Sequence, residues 1–169
     1  MSLLYRSSSS SSCGFTLLEM VVVVAIMAVL ASLAVPNYHK FKAQQAVNQT
    51  ADRLKDHLEL ARTHAQTQQT AVDVCPIAVS DLSSEAPVCL GNSAPWLAWM
   101  VIHDDGSRVL ARGQVSSAEV QINSGQREVI KFDSRGMSSN SNVTFAIQHL
   151  KNREIRKEFK VASTGRISL

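Results

Sequence analysis

The chain has 169 residues, of which 45% are hydrophobic and 18% are charged, with a formal net charge of +3 and three cysteines. This length provides one domain with a core but not two large domains, and the composition argues against disorder over the whole chain. The charge is uneven, because residues 126–169 carry nine Lys or Arg against four Asp or Glu, whereas residues 1–125 carry eight against ten. This basic end indicates either an anionic partner or a solvated basic face.

A long apolar stretch follows the first 14 residues, which contain one charged side chain and a serine run. The stretch covers residues 15–35, and the polar side chains among its 21 residues are Thr16, Glu19 and Ser32. A helix of this length crosses the hydrocarbon layer of a membrane. The stretch follows the candidate cleavage site at Gly14, and no Ala-x-Ala pattern ends it. We therefore expect the helix to be retained rather than removed as a secretory signal.

The second half of the helix is predicted over residues 36–69, where the continuous apolar run gives way to a stripe. The stripe residues recur at spacings of three and four, which places them on one helix face and leaves charged residues for water. They are Val47, Ala51, Leu54, Leu58, Ala61 and Ala65. We expect this face to pack on a domain. His57 and His64 lie on nearly the same side, but no cysteine or carboxylate stands at ligand spacing with them, so no metal site is predicted.

Short β-strands are predicted in residues 70–169. Some of the candidate segments alternate between apolar and polar residues and others are continuously apolar, and turn signals that contain glycine separate several of them. They cover residues 71–74, 97–103, 108–115, 119–122, 128–132, 142–148 and 155–162. This order predicts an α+β fold in which the helix stripe covers one face of an antiparallel sheet.

Cys75 and Cys89 enclose a loop of 13 residues that contains two prolines. If the domain faces an oxidising compartment, a disulfide between them closes this loop and contributes about 3 kcal/mol by the chain-entropy estimate. Two free thiols in a cytosolic domain are the alternative. The apolar helix favours export and therefore the disulfide.

The sequence Gly-Phe-Thr-Leu-Leu-Glu from Gly14 to Glu19 resembles the type III signal of type IV pilins and of the pseudopilins of type II secretion. The resemblance implies that a prepilin peptidase cleaves after Gly14 and methylates the new amino terminus at Phe15. It also implies that Glu19 faces the terminal amine of a neighbouring subunit. An ionised carboxylate at membrane depth costs about 2.5 to 3.5 kcal/mol, so the amine is the partner that a buried Glu19 needs.

The strand region resembles the FimT/GspH group of minor pilins and pseudopilins. The segments that carry this resemblance are Trp96 and Trp99, Val-Ile-His-Asp-Asp-Gly at 101–106, Ile-Lys-Phe-Asp-Ser-Arg-Gly at 130–136, and Gly-Arg-Ile at 165–167. With the leader, the resemblance covers essentially the whole chain. It implies the type IV pilin fold, in which a long N-terminal helix with a transmembrane first half packs on an antiparallel β-sheet domain.

Six basic residues near the C-terminus form a candidate DNA-binding site, because they flank a turn and the final predicted strand and can supply several phosphate contacts. They are Lys151, Arg153, Arg156, Lys157, Lys160 and Arg166. The resemblance to FimT-type minor pilins of naturally competent bacteria adds a C-terminal Gly-Arg-x-Arg segment that is associated with DNA binding. This chain has Gly165 and Arg166, but Ser168 stands at the second arginine position. A solvated basic face, interrupted by Glu154 and Glu158, is the alternative.

No catalytic group, cofactor motif or metal site is predicted. Asp104 and Asp105 are adjacent carboxylates, but Asp-Asp-Gly is better explained as a hairpin turn. The sequence lacks the Gly-x-Ser-x-Gly elbow, the phosphate loop and the His-Glu-x-x-His motif. We therefore expect a protein that is not an enzyme.

These observations predict four segments: a leader at 1–14, a transmembrane and assembly helix at 15–35, its amphipathic second half at 36–69, and a β-rich pilin domain at 70–169. The resemblance implies a minor pilin or pseudopilin, a structural and assembly subunit of a type IV pilus or a type II secretion pseudopilus. A DNA-binding minor pilin that acts in DNA uptake is the alternative function.

The resemblance also implies a location and partners. The expected location is the bacterial inner membrane, as a single-pass protein with a periplasmic domain, and later the filament or its tip. The expected partners are other pilins through the N-terminal helix, the prepilin peptidase, the inner membrane before assembly and, in the alternative function, DNA.

The leader generates a first prediction. The change Gly14→Ala should block processing and leave a precursor that migrates more slowly on a gel, because the resemblance implies that the peptidase cleaves after this glycine. Mass spectrometry of the N-terminus provides the measurement. A mature terminus that is still Phe15 in this variant would show that the peptidase assignment is wrong.

Overall fold

Helix α1 is the longest element and covers Leu17–Gln68. The computed structural model describes residues 16–90, 95–125, 129–139 and 142–168, and it describes only the backbone of residues 33–36. The helix ends where Gln69 adopts a left-handed conformation with a φ of 53°, a common way to stop a helix. The chain divides into two compact units, Met1–His39 and Lys40–Leu169. The predicted boundary at residue 14 lies outside the described residues.

The apolar stripe on α1 is buried in the core of the second unit. Its six members are Val47, Ala51, Leu54, Leu58, Ala61 and Ala65, and each is 0–1% exposed. They share one cluster of buried side chains with residues from strands that follow the helix. The prediction that this face packs on a domain is confirmed. Full burial of each leucine contributes about 1.5–3 kcal/mol relative to an exposed leucine.

Eight strands follow α1 in the described part of the chain. They are β1 (Val72–Ile77), β2 (Ala98–His103), β3 (Val109–Gln114), β4 (Val120–Asn123), β5 (Ile130–Phe132), β6 (Val143–His149), β7 (Arg156–Val161) and β8 (Ile167–Ser168). Seven of them correspond to predicted segments, and β8 was not predicted because two residues are too short to show an alternating pattern.

The strands form two antiparallel sheets rather than the single sheet that was predicted. The first sheet has the order β3-β2-β1-β5, and the second sheet has the order β4-β6-β7-β8. Both sheets contribute side chains to the cluster around the helix stripe. One helix cannot cover the face of an eight-stranded sheet, whereas two four-stranded sheets can each bury a face against it.

Strand β1 continues three residues beyond its predicted end at Val74, through Pro76. Pro76 is paired with Trp99 of β2, and the pairing of β1 with β5 covers only residues 72–74. Pro76 therefore lies on a stretch where one side of β1 carries no strand, which is where a residue without an N–H group is tolerated. The carbonyl oxygen of Pro76 accepts a hydrogen bond of 2.8 Å from the N–H of Leu90.

The first sheet is covered on both faces. Val74 and Val101 belong to the core around α1, whereas Cys75, Ile77, Ala98 and Met100 form a second buried cluster. The loop after β1 contributes Leu82 and Cys89 to this second cluster, and a 3-10 helix covers Val79–Ser83 within that loop. Burial on both faces explains why β1 is almost continuously apolar rather than alternating.

The packing of α1 generates a second prediction. The change Leu58→Ala should lower the free energy of unfolding by about 2–5 kcal/mol, because it opens a cavity in the core. Urea unfolding of the full chain in detergent, followed by the fluorescence of the buried Trp96 and Trp99, measures the effect. Leu60→Ala is the matched control on the same helix, since Leu60 is 40% exposed, and its effect should stay below about 1 kcal/mol. Equal losses in the two variants would contradict this packing.

Candidate functional site

Three residues were predicted for processing and assembly, namely Gly14, Phe15 and Glu19. Gly14 and Phe15 are outside the described residues. Glu19 is exposed in the first turn of the helix, and its backbone N–H donates a hydrogen bond of 3.2 Å to the hydroxyl oxygen of Thr16. Thr16 thus caps the helix three residues before an acidic side chain, as in a capping box, and the carboxylate of Glu19 also complements the positive end of the helix dipole.

The first part of α1 exposes large apolar side chains that a water-soluble domain would bury. Each of the following is at least 50% exposed: Leu17, Leu18, Met20, Val21, Val22, Val24, Ile26, Met27, Val29 and Leu30. In the described residues, α1 is the one helix long and apolar enough to cross a membrane, with a mean hydropathy of 2.7 over its best window and none of that window buried. An apolar surface of this extent requires a lipid or protein environment.

Three of the six basic residues in the C-terminal part make ion pairs within the domain. The pairs are Lys151 with Glu119, Arg156 with Glu158 at 3.3 Å, and Lys157 with Asp52 at 2.6 Å. In the described part of the chain, Arg153, Lys160 and Arg166 make no ion pair. The paired residues offer less positive charge to a phosphate backbone than a count of basic residues indicates.

The basic residues also lie on different sides of the second sheet. Strand β7 buries Phe159 and Val161 toward α1, so Lys157 lies on that inner side, whereas Lys160 lies on the outer side. Arg166 lines a pocket beside α1. The structure therefore does not bring the six predicted residues together on one surface. The inward position of Lys157 follows from the period of two along β7, a signal that the sequence contained.

Gly136 of the segment 130–136 and Gly165 of the segment 165–167 meet in one contact, here called the two-turn contact. The turn 133–136 ends at Gly136 with a φ of 72°, and the turn 162–165 ends at Gly165 with a φ of 74°. A Cβ at Gly165 would overlap the carbonyl oxygen of Gly136, and a Cβ at Gly136 would lie 2.6 Å from Cγ of Gln66 on α1. Only glycine meets both the left-handed conformation and this close approach.

Hydrogen bonds stabilise the first of these turns, residues 133–136. The carboxylate of Asp133 accepts hydrogen bonds of 2.9 Å from the N–H groups of Arg135 and Met137. The bond from Met137 is the largest influence that lowers the pKa of Asp133, and the side chain of Arg135 acts in the same direction. Gln66 Nε2 donates a hydrogen bond of 3.0 Å to the carbonyl oxygen of Arg135. The Phe-Asp-Ser-Arg-Gly segment therefore has a structural role in joining this turn to α1.

The two helix histidines have separate partners. His57 Nδ1 accepts a hydrogen bond of 3.0 Å from the indole N–H of Trp99, and His64 packs edge-on against His103 with ring centroids 5.0 Å apart. Burial lowers the pKa of His57, which favours the neutral form that can accept this bond. Within the described ranges, no group of three or more His, Cys, Asp or Glu is arranged to hold a metal ion. The bond between His57 and Trp99, 42 residues apart, left no signal in the sequence.

Cys75 and Cys89 are joined by a disulfide, with their Cα atoms 5.6 Å apart. The bridge closes the loop that covers the outer face of the first sheet. Trp96 and Trp99 are both buried, and Trp96 packs edge-on against Phe145 with ring centroids 5.2 Å apart. Both features serve packing of the domain.

The family model of the type II transport protein GspH matches residues 50–165, which is more than half of the chain. The chain belongs to this family. The model of the prokaryotic N-terminal methylation motif matches residues 9–35 of the GspH-family chain. The first of these matches confirms the resemblance to the FimT/GspH group.

Solved structures of a minor pilin share the fold of this GspH-family chain. A crystal structure of the type IV minor pilin FimU from Pseudomonas aeruginosa (strain PAO1) in space group P21 has a TM-score of 0.59 and 18% identity, and covers 76% of this chain and 91% of that chain. A second FimU structure, in space group P65, has a TM-score of 0.54 and 17% identity, and covers 72% and 90%. The predicted type IV pilin fold is confirmed.

A shorter similarity connects the GspH-family chain to a major pilin. The type IV major pilin protein PilA of Myxococcus xanthus (strain DK1622) is 45% identical over 42 residues, which is 25% of this chain and 19% of that protein. The match thus spans about a fifth of the length of PilA. It supports membership among pilins.

The partly buried His64 generates a third prediction. Burial lowers the pKa of His64 below its ordinary value of 6.5, and the charges of His103 and Arg108 act in the same direction. The unfolded chain therefore binds more protons as the pH falls through 6.5, so stability is highest above this value and is lost as the pH falls toward the folded pKa. Urea midpoints at pH 7.5 and pH 5.5 should differ less in His64→Gln than in the unchanged chain.

His39→Gln is the matched control for this experiment, because His39 is an exposed histidine on the same helix. It should keep the full pH dependence. The assignment to His64 fails if His64→Gln keeps the same difference between the two midpoints.

Proposed function

We propose that this chain is a minor pilin or pseudopilin, a non-enzymatic structural and assembly subunit of a type IV pilus or of a type II secretion pseudopilus. The observation that supports this most directly is the combination of an exposed apolar helix with a GspH-family domain built around the second half of the same helix. A helix of this kind serves as a membrane anchor before assembly and as the packing surface between subunits afterwards.

Before assembly, the protein resides in the inner membrane as a single-pass protein with its domain in the periplasm. The disulfide between Cys75 and Cys89 supports this location, because such bonds persist in oxidising compartments. The prepilin peptidase then cleaves between Gly14 and Phe15 and methylates the new terminus. The methylation motif matched over residues 9–35 supports this step.

Glu19 directs assembly by pairing with the terminal amine of a neighbouring subunit. Its exposed position in the first helical turn supports this role, because the carboxylate is free to meet a group on another chain. When neighbouring helices pack around it, the carboxylate loses water, and a cationic amine one turn away restores its stabilisation.

The alternative function, a receptor for DNA during natural transformation, has less support. Three of the six basic residues are engaged in ion pairs, and the six do not share one face. A duplex contacts phosphates along a continuous surface, and its affinity grows with the number of unpaired cations on that surface. We therefore favour the structural subunit.

The assembly role generates a fourth prediction. The change Glu19→Ala should leave membrane insertion intact and reduce incorporation into filaments by about tenfold or more, because breaking a buried ion pair from one side costs about 3–5 kcal/mol. Immunoblots of membrane and sheared filament fractions provide the measurement. Glu85→Ala is the control, since it removes an exposed carboxylate in the loop after β1. Unchanged incorporation of Glu19→Ala would remove the pairing role.

A further inference from the structure

A pocket of about 220 Å³ lies between α1 and the last strand of the second sheet. It is lined by Glu59, Arg62, Thr63, Gln66, Arg166 and Ile167. Four of these residues lie on consecutive turns of the helix, and the other two flank the start of β8. The two-turn contact lies next to this pocket, because Gly136 approaches Gln66 and Gly165 approaches Arg62.

The charges in this pocket are unbalanced. Arg62 and Arg166 supply two guanidinium groups, and neither makes an ion pair with any residue that the structure describes. The carboxylate in the lining, that of Glu59, lies 3.6 Å from Lys55 Nζ and is partly neutralised there. The pocket therefore presents a net positive charge in a concave site.

One atom of the pocket lining, the Nε atom of Arg62, lacks a hydrogen-bond acceptor among the residues that the structure describes. It is buried and has no hydrogen-bond partner within the described part of the chain. A buried donor without an acceptor costs about 1–3 kcal/mol, and more for a charged group. The backbone of Gly165 stands beside this atom, where a Cβ would lie 3.2 Å from it, so the turn holds the guanidinium at the edge of the pocket.

We propose that this pocket binds a carboxylate side chain of a neighbouring subunit in the filament. A guanidinium group offers a planar fork of donors that matches the two oxygens of a carboxylate, and two such groups around one site add charge and direction. The volume admits one side chain. This inference rests on the proposed function, because it requires a neighbouring subunit.

The same features disfavour a phosphate of duplex DNA as the occupant. The cations that would extend such a contact are Lys157, which lies 2.6 Å from Asp52, and Lys160, which lies on the outer side of the sheet. A duplex presents its phosphates in a row and is held by several cations on one face, not by two in a pocket.

Photo-crosslinking in cells that assemble the filament tests this proposal as the fifth prediction. The full chain carries a photo-reactive amino acid in place of Thr63 in the pocket. We expect a crosslink to another pilin subunit, and mass spectrometry should place it on a peptide next to an Asp or Glu. Arg62→Gln and Arg166→Gln should each reduce the crosslinked fraction at least about fivefold. Lys160→Gln, which removes a cation outside the pocket, should leave it unchanged.

A charge exchange makes the test specific. Replacing the identified carboxylate of the neighbour by lysine should remove the crosslink, and combining it with Arg166→Glu should restore it. Arg62→Lys keeps the charge without the fork and should give an intermediate yield. Protease resistance and the intact Cys75–Cys89 disulfide show whether each variant is folded, so loss of the crosslink in folded chains is the result that counts.

Three results would overturn the inference. They are a crosslink whose yield is the same in both arginine variants, a crosslink to nucleic acid instead of a pilin, and no crosslink although the chain is present in sheared filaments. In all three, the proposed function stands if Glu19→Ala still reduces incorporation. If the unchanged chain is absent from filaments, the proposed function and this inference both fail.

Discussion

Burial of one face of α1 is the interaction on which the rest of the domain depends. The six stripe residues include three alanines, and their small side chains let both sheets approach the helix closely while Leu54 and Leu58 fill the space between them. Within the described residues, both sheets bury their inner faces in the cluster that contains this stripe. The second half of α1 is therefore the centre of the core, so the folding of the domain depends on this helix.

The two-turn contact explains why glycine stands in two distant motif segments. Gly136 and Gly165 belong to turns of different strand connections, and they touch each other and the end of α1. A side chain at either position would push one turn off the helix, so the two segments constrain each other. The Gly-Arg segment thus has a structural explanation for its glycine, while Arg166 faces the pocket beside Arg62.

Much of the fold followed from local patterns. The spacing of Val47, Leu54 and Ala61 on one helix face, and the alternation along β6 and β7, report on burial directly because neighbouring positions decide them. The division into two sheets and the bond between His57 and Trp99 depend on residues far apart in the chain, and no short pattern records such pairings. The candidate site was predicted less well for the same reason. The basic residues could be identified in the sequence, but their ion pairs with Asp52 and Glu119 could not be predicted from it.

The order in which the strands enter the two sheets has a consequence for the integrity of the domain. The chain places β1 to β3 in the first sheet, β4 in the second, β5 again in the first, and β6 to β8 in the second. No single cut of the polypeptide separates one sheet from the other. A nascent chain cannot complete the first sheet before part of the second has been synthesised, so the domain is expected to form as one cooperative unit and to yield no stable fragments on limited proteolysis.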